Sequence, residues 1–281
     1  MMPGRAGECL RPRSESPHAA CVKPFPERYG RWALVAGASE GLGEAFAEAL
    51  AKRGMSLVLV ARREAVLAGV AARLREAHAV EVRTLALDLA EAAWPAALAP
   101  LVAELEIGVA VYNAAHSFVG PLLSHTPEEA ERAIDVNARG SLRLVHAVAP
   151  AMVARGRGAI VLMSSLAGFQ GSPRLATYAA TKAFIIVLGE SLWSELRPHG
   201  VDVLVSCAGA IRTPGYVKTA TRDAPGILPP AVVAERTLAA LGKGPIVVPG
   251  AVNKLARWFL GRVLTRRAAV GVMDRNTKDL Q

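Results

Sequence analysis

Tyr178 and Lys182 stand four positions apart, and Ser165 precedes Tyr178 by thirteen, in the run Ser165-Leu166-Ala167-Gly168 followed by Tyr178-Ala179-Ala180-Thr181-Lys182. A spacing of four puts the phenol and the ammonium on one helical face. The apolar run Ala159 to Met163 reads as a strand that delivers Ser165 at its carboxyl end. A hydroxyl, a phenol and an ammonium can then converge, which is what proton transfer coupled to alcohol/ketone interconversion requires. A free phenol, with a pKa of about 10, is a weak acid or base at neutral pH. A lysine one turn away favours the phenolate, so a lowered Tyr178 pKa is expected.

A Tyr and a Lys four apart occur by chance in many chains, and a second signal is needed. It lies near the other end. The apolar run Trp32-Ala33-Leu34-Val35-Ala36 leads into Gly37-Ala38-Ser39-Glu40-Gly41-Leu42-Gly43, and a helix-forming stretch runs from Glu44 to Arg53. Strand, glycine turn and helix follow in order, and Leu57 to Val60 closes a βαβ unit. Such a turn brings a pyrophosphate against the free N–H groups of a helix amino terminus. The glycine pattern here is GxxxGxG.

These residues resemble the short-chain dehydrogenase/reductase family over roughly residues 30 to 250, most closely its NADP-preferring branch with 3-ketoacyl and 17β-hydroxysteroid reductases. Gly37, Gly41 and Gly43 match its glycine motif, with Ser39, Glu40 and Leu42 between them, and Ser165, Tyr178 and Lys182 match its catalytic triad. The resemblance implies that Asn137 organises a water linked to the lysine, and that Asp88 and Leu89 contact the adenine. It further implies that Asn113, Gly209, Ile211 and Thr213 border the nicotinamide side. Four positions depart from the pattern: Ala36 replaces the usual Thr, Tyr112 the usual Asn, Ala115 the usual Gly and Ala208 the usual Pro.

Strands are expected near 32–36, 56–61, 81–87, 109–113, 158–163, 202–207 and 245–248, alternating with helices. That alternation predicts an α/β fold, a Rossmann-like doubly wound parallel sheet in a single domain. The resemblance implies strand order 3-2-1-4-5-6-7. The length of 281 residues and 52% hydrophobic content suit one such core over 30–250. Ligands bind outside the carboxyl ends of such strands, where Gly37, Arg62, Asn113, Ser165 and Gly209 fall.

The second strand ends in Val60-Ala61-Arg62-Arg63 where an NAD enzyme would place a carboxylate against the ribose 2′-hydroxyl. A guanidinium there favours the 2′-phosphate of NADP(H), with Arg62 as the contact. The plain alternative is that both arginines open a solvated helix. Glu40 weighs slightly against the phosphate. The implied reaction is hydride transfer between NADP(H) and a carbonyl, with Tyr178 as acid, Ser165 polarising the oxygen and Lys182 holding the ribose. The segment 212–228, with Pro214, Gly215, Pro225 and Gly226, reads as a lid over an apolar, lipid-like substrate. A cofactor-binding sensor or scaffold of the same fold is the second function class left open.

The net charge of +9 is concentrated at the ends: residues 1–31 hold six basic and three acidic side chains, residues 251–281 seven and two. A nearly neutral centre disfavours nucleic-acid binding. Residues 1–29 read as a disordered basic tail. Residues 251–281 read as a basic amphipathic helix and tail, with Val252, Leu255, Ala256, Phe259, Leu260 and Val263 on one face. Packing beside the cleft or against another subunit is the first reading of that face, contact with an anionic membrane the second. The helix from Tyr178 to Arg197 is apolar on several sides, which suits a homo-oligomer. Cys9, Cys21 and Cys207 have no pairing or metal-ligand spacing, and no metal and a cytoplasmic location are expected. Cys207 reads as a small buried hydrophobe and His116 as a hydrogen-bonded side chain at the substrate mouth.

Overall fold

The computed structural model describes residues 23–219 and 223–278. Cys9 and Cys21 lie outside them. Seven parallel strands form one sheet: β1 (Trp32–Ala36), β2 (Ser56–Ala61), β3 (Val82–Ala86), β4 (Ile107–Tyr112), β5 (Gly158–Ser165), β6 (Val201–Ala208) and β7 (Ile246–Val247). Their order is β3-β2-β1-β4-β5-β6-β7, as expected from the sequence. β1, β2 and β4 are buried at every position, which is what continuous apolar runs covered on both faces require.

Two apolar layers flank the sheet. Helices α2 (Gly41–Ala51), α3 (Glu64–His78) and α9 (Pro230–Leu238) cover one face, where Phe46, Leu50, Leu67 and Val233 pack against Leu57 and Val35. Helices α4 (Trp94–Glu104), α6 (Gly140–Arg155) and α7 (Ala176–Leu196) cover the other through Leu98, Leu144, Met152 and Ile185. Short helices α5 (Pro127–Ile134) and α8 (Pro214–Thr219) sit in the loops that follow β4 and β6. A capping box starts α5: Thr126 accepts from the Glu129 amide, and the Glu129 carboxylate accepts from the Thr126 amide.

Both ends of the chain differ from the sequence expectation. Residues 25–29, expected in a disordered tail, form helix α1 (Phe25–Tyr29), and Tyr29 is buried. The Tyr29 hydroxyl and the Arg28 guanidinium both donate to Asp202 at the start of β6, at 2.9 and 3.0 Å. Pro and charge in Phe25-Pro26-Glu27-Arg28-Tyr29 resemble tail composition, whereas its two aromatics drive docking. The remainder of that tail lies outside the described residues. At the other end, the single expected helix is a pair, α10 (Ala251–Arg262) and α11 (Arg266–Thr277). Thr265 separates them by accepting a hydrogen bond from the Ala268 amide and so capping a new helix.

Candidate active site

The carboxyl ends of the strands open into one cleft of about 1310 Å³. Its walls include Gly37, Ser39, Glu40, Gly41 and Leu42 from the glycine turn, and Arg62, Asp88, Leu89 and Asn113 beyond β2, β3 and β4. Ser165, Tyr178, Lys182, Gly209, Ile211 and Thr213 complete the far side. Two predicted residues, Gly43 and Asn137, lie behind the wall.

The glycine turn is built for close approach. Gly37 and Gly41 have φ of +85° and +61°, conformations that side chains with a Cβ resist. A Cβ on Gly43 would stand 1.8 Å from the Gly37 carbonyl oxygen. The Asn113 amide donates to that same carbonyl at 3.0 Å, so the end of β4 ties the turn to α2. Ala115, where the family pattern has Gly, keeps a negative φ and carries no backbone strain.

At the end of β2 the two arginines part company. Arg63 is engaged, pairing with Glu40 at 2.9 Å and donating to the Ser39 hydroxyl at 3.1 Å. Arg62 is exposed on the cleft wall, and among the described residues no carboxylate pairs with it. Glu40 therefore neutralises Arg63 and leaves the Arg62 guanidinium available. Beside it, burial works to raise the Asp88 carboxyl, but the Ala90 amide and the Arg132 guanidinium, with Arg62 further off, hold it below the usual range. Arg132 reaches Asp88 at 2.6 Å, a contact that nothing in the local sequence signals.

Ser165 closes β5, and α7 presents Tyr178 and Lys182 toward it as their spacing requires. The Ser165 hydroxyl and the Tyr178 phenol both face the cleft, and Ser165 Oγ accepts from the Ala167 amide at 3.2 Å. Lys182 is 2% exposed; its Nζ donates to the Met163 carbonyl at 2.7 Å and sits 5.4 Å from the Tyr178 ring centroid. Here the structure corrects an expectation: the Tyr178 pKa is raised, because burial outweighs the opposing contact with Ser165. Within the chain itself, the lysine charge does not overcome that loss of solvent.

Burial also pushes Lys182 down from 10.5 to about 8, so the folded chain resists its protonation. Below pH 8 the lysine is charged in both folded and unfolded chains, and folding bears the full desolvation cost of about 3 kcal/mol. That cost fades as pH rises from 8 toward 10.5, where the unfolded chain still holds the proton and the folded chain does not. Lys182→Met should raise the unfolding midpoint at pH 7 by about 2–6 °C, part of the gain being lost with the Met163 hydrogen bond. Melting curves from pH 7 to 10 should show the difference shrinking; a lower midpoint at pH 7 would rule out a desolvation cost of this size.

Asn137 is fully buried in a π-helical turn, Asp135–Arg139, a local widening often found near functional sites. Its side chain accepts from the His116 amide at 2.8 Å and donates to the His116 carbonyl at 2.9 Å and to Thr181 at 3.0 Å. It thus pins the loop after β4 to α7, one residue before Lys182. His116 lines the cleft, and burial, then Arg132 and Arg62, hold its imidazole below the usual range. Burial pushes the Cys207 thiol up to about 12, as suits a buried hydrophobe.

The far wall comes from elements the sequence leaves vague. Thr213 Oγ1 accepts from the Tyr216 amide at 3.2 Å, and the Thr213 side chain packs on Gly41. Asn253 of α10 donates to the Pro249 and Gly226 carbonyls, and a Cβ on Gly209 would stand 2.6 Å from its Oδ1. Val252, Ala256 and Leu260 from α10 and Met273 from α11 join the lining. Sequence reasoning misses both Asn253 and α11; an Asn on the inward side of an apolar helix is the available signal.

The short chain dehydrogenase family profile matches residues 31–224. The very-long-chain 3-oxoacyl-CoA reductase of Phaeosphaeria nodorum is 33% identical over 257 residues, covering 86% of this chain and 74% of that one. The Podospora anserina protein of the same name is 40% identical over 188 residues, or 64% of this chain, and the match spans only 55% of its length. A 7beta-hydroxysteroid dehydrogenase of Collinsella aerofaciens is 33% identical over 81% of this chain and 89% of its own. Among solved structures, a 7beta-hydroxysteroid dehydrogenase superposes with a TM-score of 0.84 at 30% identity, covering 89% of this chain and 99% of that one. A Sphingobium yanoikuyae short-chain dehydrogenase in complex with NADPH gives 0.74 at 33% identity, covering 89% and 96%. With the glycine turn, the strand order and the family match in agreement, this chain belongs to the short-chain dehydrogenase/reductase family.

Proposed function

We propose that this protein is an NADP(H)-dependent oxidoreductase that interconverts a ketone and a secondary alcohol on an apolar, lipid-like substrate. The observation that carries the reading is the convergence of Ser165, Tyr178 and Lys182 on a cleft that continues from the glycine turn. The cradle of Gly37, Gly41 and Gly43 fits a dinucleotide pyrophosphate, and Arg62 fits a 2′-phosphate. NADP(H), when bound, supplies or accepts the hydride.

The residues of the chain manage the proton and the charge. Tyr178 gives its phenolic proton to the carbonyl oxygen as that oxygen gains charge, while Ser165 donates a hydrogen bond to the same atom. A raised phenol pKa keeps that proton in place at neutral pH, which suits the reducing direction. Lys182, protonated below about pH 8, stands where it can hold a ribose hydroxyl and favour the phenolate left behind. Leu166, Leu175, Val119 and Met273 make the substrate end apolar. The similar proteins act, by name, on very-long-chain 3-oxoacyl-CoA or on a 7beta-hydroxysteroid, and both substrates match such a wall. Exposed Phe184 and Val187 on α7 support a homo-oligomer.

Titration with NADPH and NADH, followed by turnover on 3-oxoacyl thioesters and ketosteroids, tests this reading. NADPH should bind more tightly. Arg62→Ala should weaken it by about ten- to a hundredfold, the worth of a charge-assisted contact, and leave NADH nearly unchanged. Equal affinity for both nucleotides, or an unaffected variant, would remove Arg62 from the site. Cofactor binding without turnover on any ketone would favour the sensor reading.

A further inference from the structure

Exposed large apolar side chains on this protein are not scattered. Among the described residues there are twelve, of which two (Leu122, Leu123) lie in the loop after β4, one (Val217) on α8 and five on α10 and its C-cap. Each of these segments also lines the cleft: Val119 precedes the leucines, Tyr216 precedes Val217, and Val252, Ala256 and Leu260 come from α10. Eight of the twelve therefore lie on segments that also line the cleft.

Helix α10 concentrates the pattern. Val252, Leu255, Phe259 and Val263 recur at intervals of three and four and share a face, with Trp258 at its edge. Leu255 is 65% exposed and Trp258 57%. The helix is not simply undocked, because Asn253 is buried and locks its other side to Pro249 and Gly226. Residues 251–278 hold seven Lys and Arg against one Asp; Arg262 falls beside Trp258 at the edge of the apolar face, and Lys254 lies on the opposite side. A two-fold dimer through this face would set the basic helix against its own copy, like charge against like.

We propose that α10 is a membrane-docking element that seats on an anionic lipid surface and turns the substrate end of the cleft toward the bilayer. Aromatic and aliphatic side chains beside arginines suit the headgroup boundary, where the apolar face buries and the cations meet lipid phosphates. Among the described residues no helix is long and apolar enough to cross a membrane, so the contact is peripheral. This inference stands apart from the catalytic reading, since vesicle binding needs no turnover.

Co-sedimentation of the full chain with phosphatidylcholine vesicles, and with vesicles containing phosphatidylglycerol, tests it. Binding to the anionic vesicles should be at least about tenfold stronger and should fall with salt. Trp258→Glu with Phe259→Glu should reduce it at least about tenfold while NADPH binding persists. If that pair fails to fold, Arg262→Glu with Arg267→Glu provides the same test from the charged side. No binding to anionic vesicles, or equal binding to neutral ones, overturns the proposal. So does a wild-type dimer that the Trp258/Phe259 variant converts to monomer, which would assign the face to a second copy.

Discussion

Tyr178→Phe should lower kcat by about 10²–10⁴-fold, the usual contribution of a positioned acid, and leave NADPH affinity within a few-fold of the wild type. The substitution removes one oxygen and keeps the ring that packs at the start of α7. Ser165 would still donate a hydrogen bond to a carbonyl oxygen, but no proton would follow. Steady-state turnover beside a nucleotide titration separates the two effects. A variant that keeps turnover would show that the proton comes from elsewhere. One that loses NADPH as well would show that the phenol supports the cleft instead of the chemistry. Because burial raises this phenol, the wild-type group is protonated at neutral pH, and the deficit should be seen in the reducing direction without raising the pH.

Gly43→Ala should be nearly as damaging by an unrelated route. The added Cβ would meet the Gly37 carbonyl oxygen at 1.8 Å and the Asn113 amide nitrogen at 2.8 Å, both parts of the turn that would cradle a pyrophosphate. Neither can give way alone, since the amide is bonded to that carbonyl. Either α2 withdraws from the turn or the turn collapses into the cleft. NADPH affinity should fall at least a hundredfold, which is about 3 kcal/mol at RT ln K, and overpacking should cost about 1–3 kcal/mol of stability. Gly261→Ala is the control: nothing lies within 4 Å of its added Cβ, and in the last turn of α10 it should be neutral or stabilising by less than about 1 kcal/mol. Circular dichroism and nucleotide titration of both variants check this, and a Gly43→Ala protein with intact affinity would contradict the close packing.

The sheet is legible in the sequence because its strands are apolar runs separated by helix-length segments, a pattern that leaves few topologies. Ser165, Tyr178 and Lys182 are legible because strand end and helical period place them without knowledge of the rest. What the sequence hides depends on three-dimensional contact. The direction of the Tyr178 shift turns on how deeply the ring is buried, which no local spacing encodes. Arg62 and Arg63 are equivalent as text, and only the geometry assigns Arg63 to Glu40. Asn137 reads by resemblance as a water-organising residue, and the bonds its side-chain amide makes to the His116 backbone, across 21 positions of chain, are not encoded by any local spacing. The C-terminal pair reads as one helix because Thr265, its divider, is a single cap in a uniformly basic stretch.

The anchoring of α1 has a practical side. Tyr29 and Arg28 hold the beginning of the described chain to Asp202, where β6 starts, while the cleft opens where the strands finish. A support or reporter attached through residues preceding Lys23 joins the molecule at its back. Immobilised that way, the protein would present its cleft and α10 outward, free to meet a vesicle or a ketone, whereas attachment after α11 would crowd both.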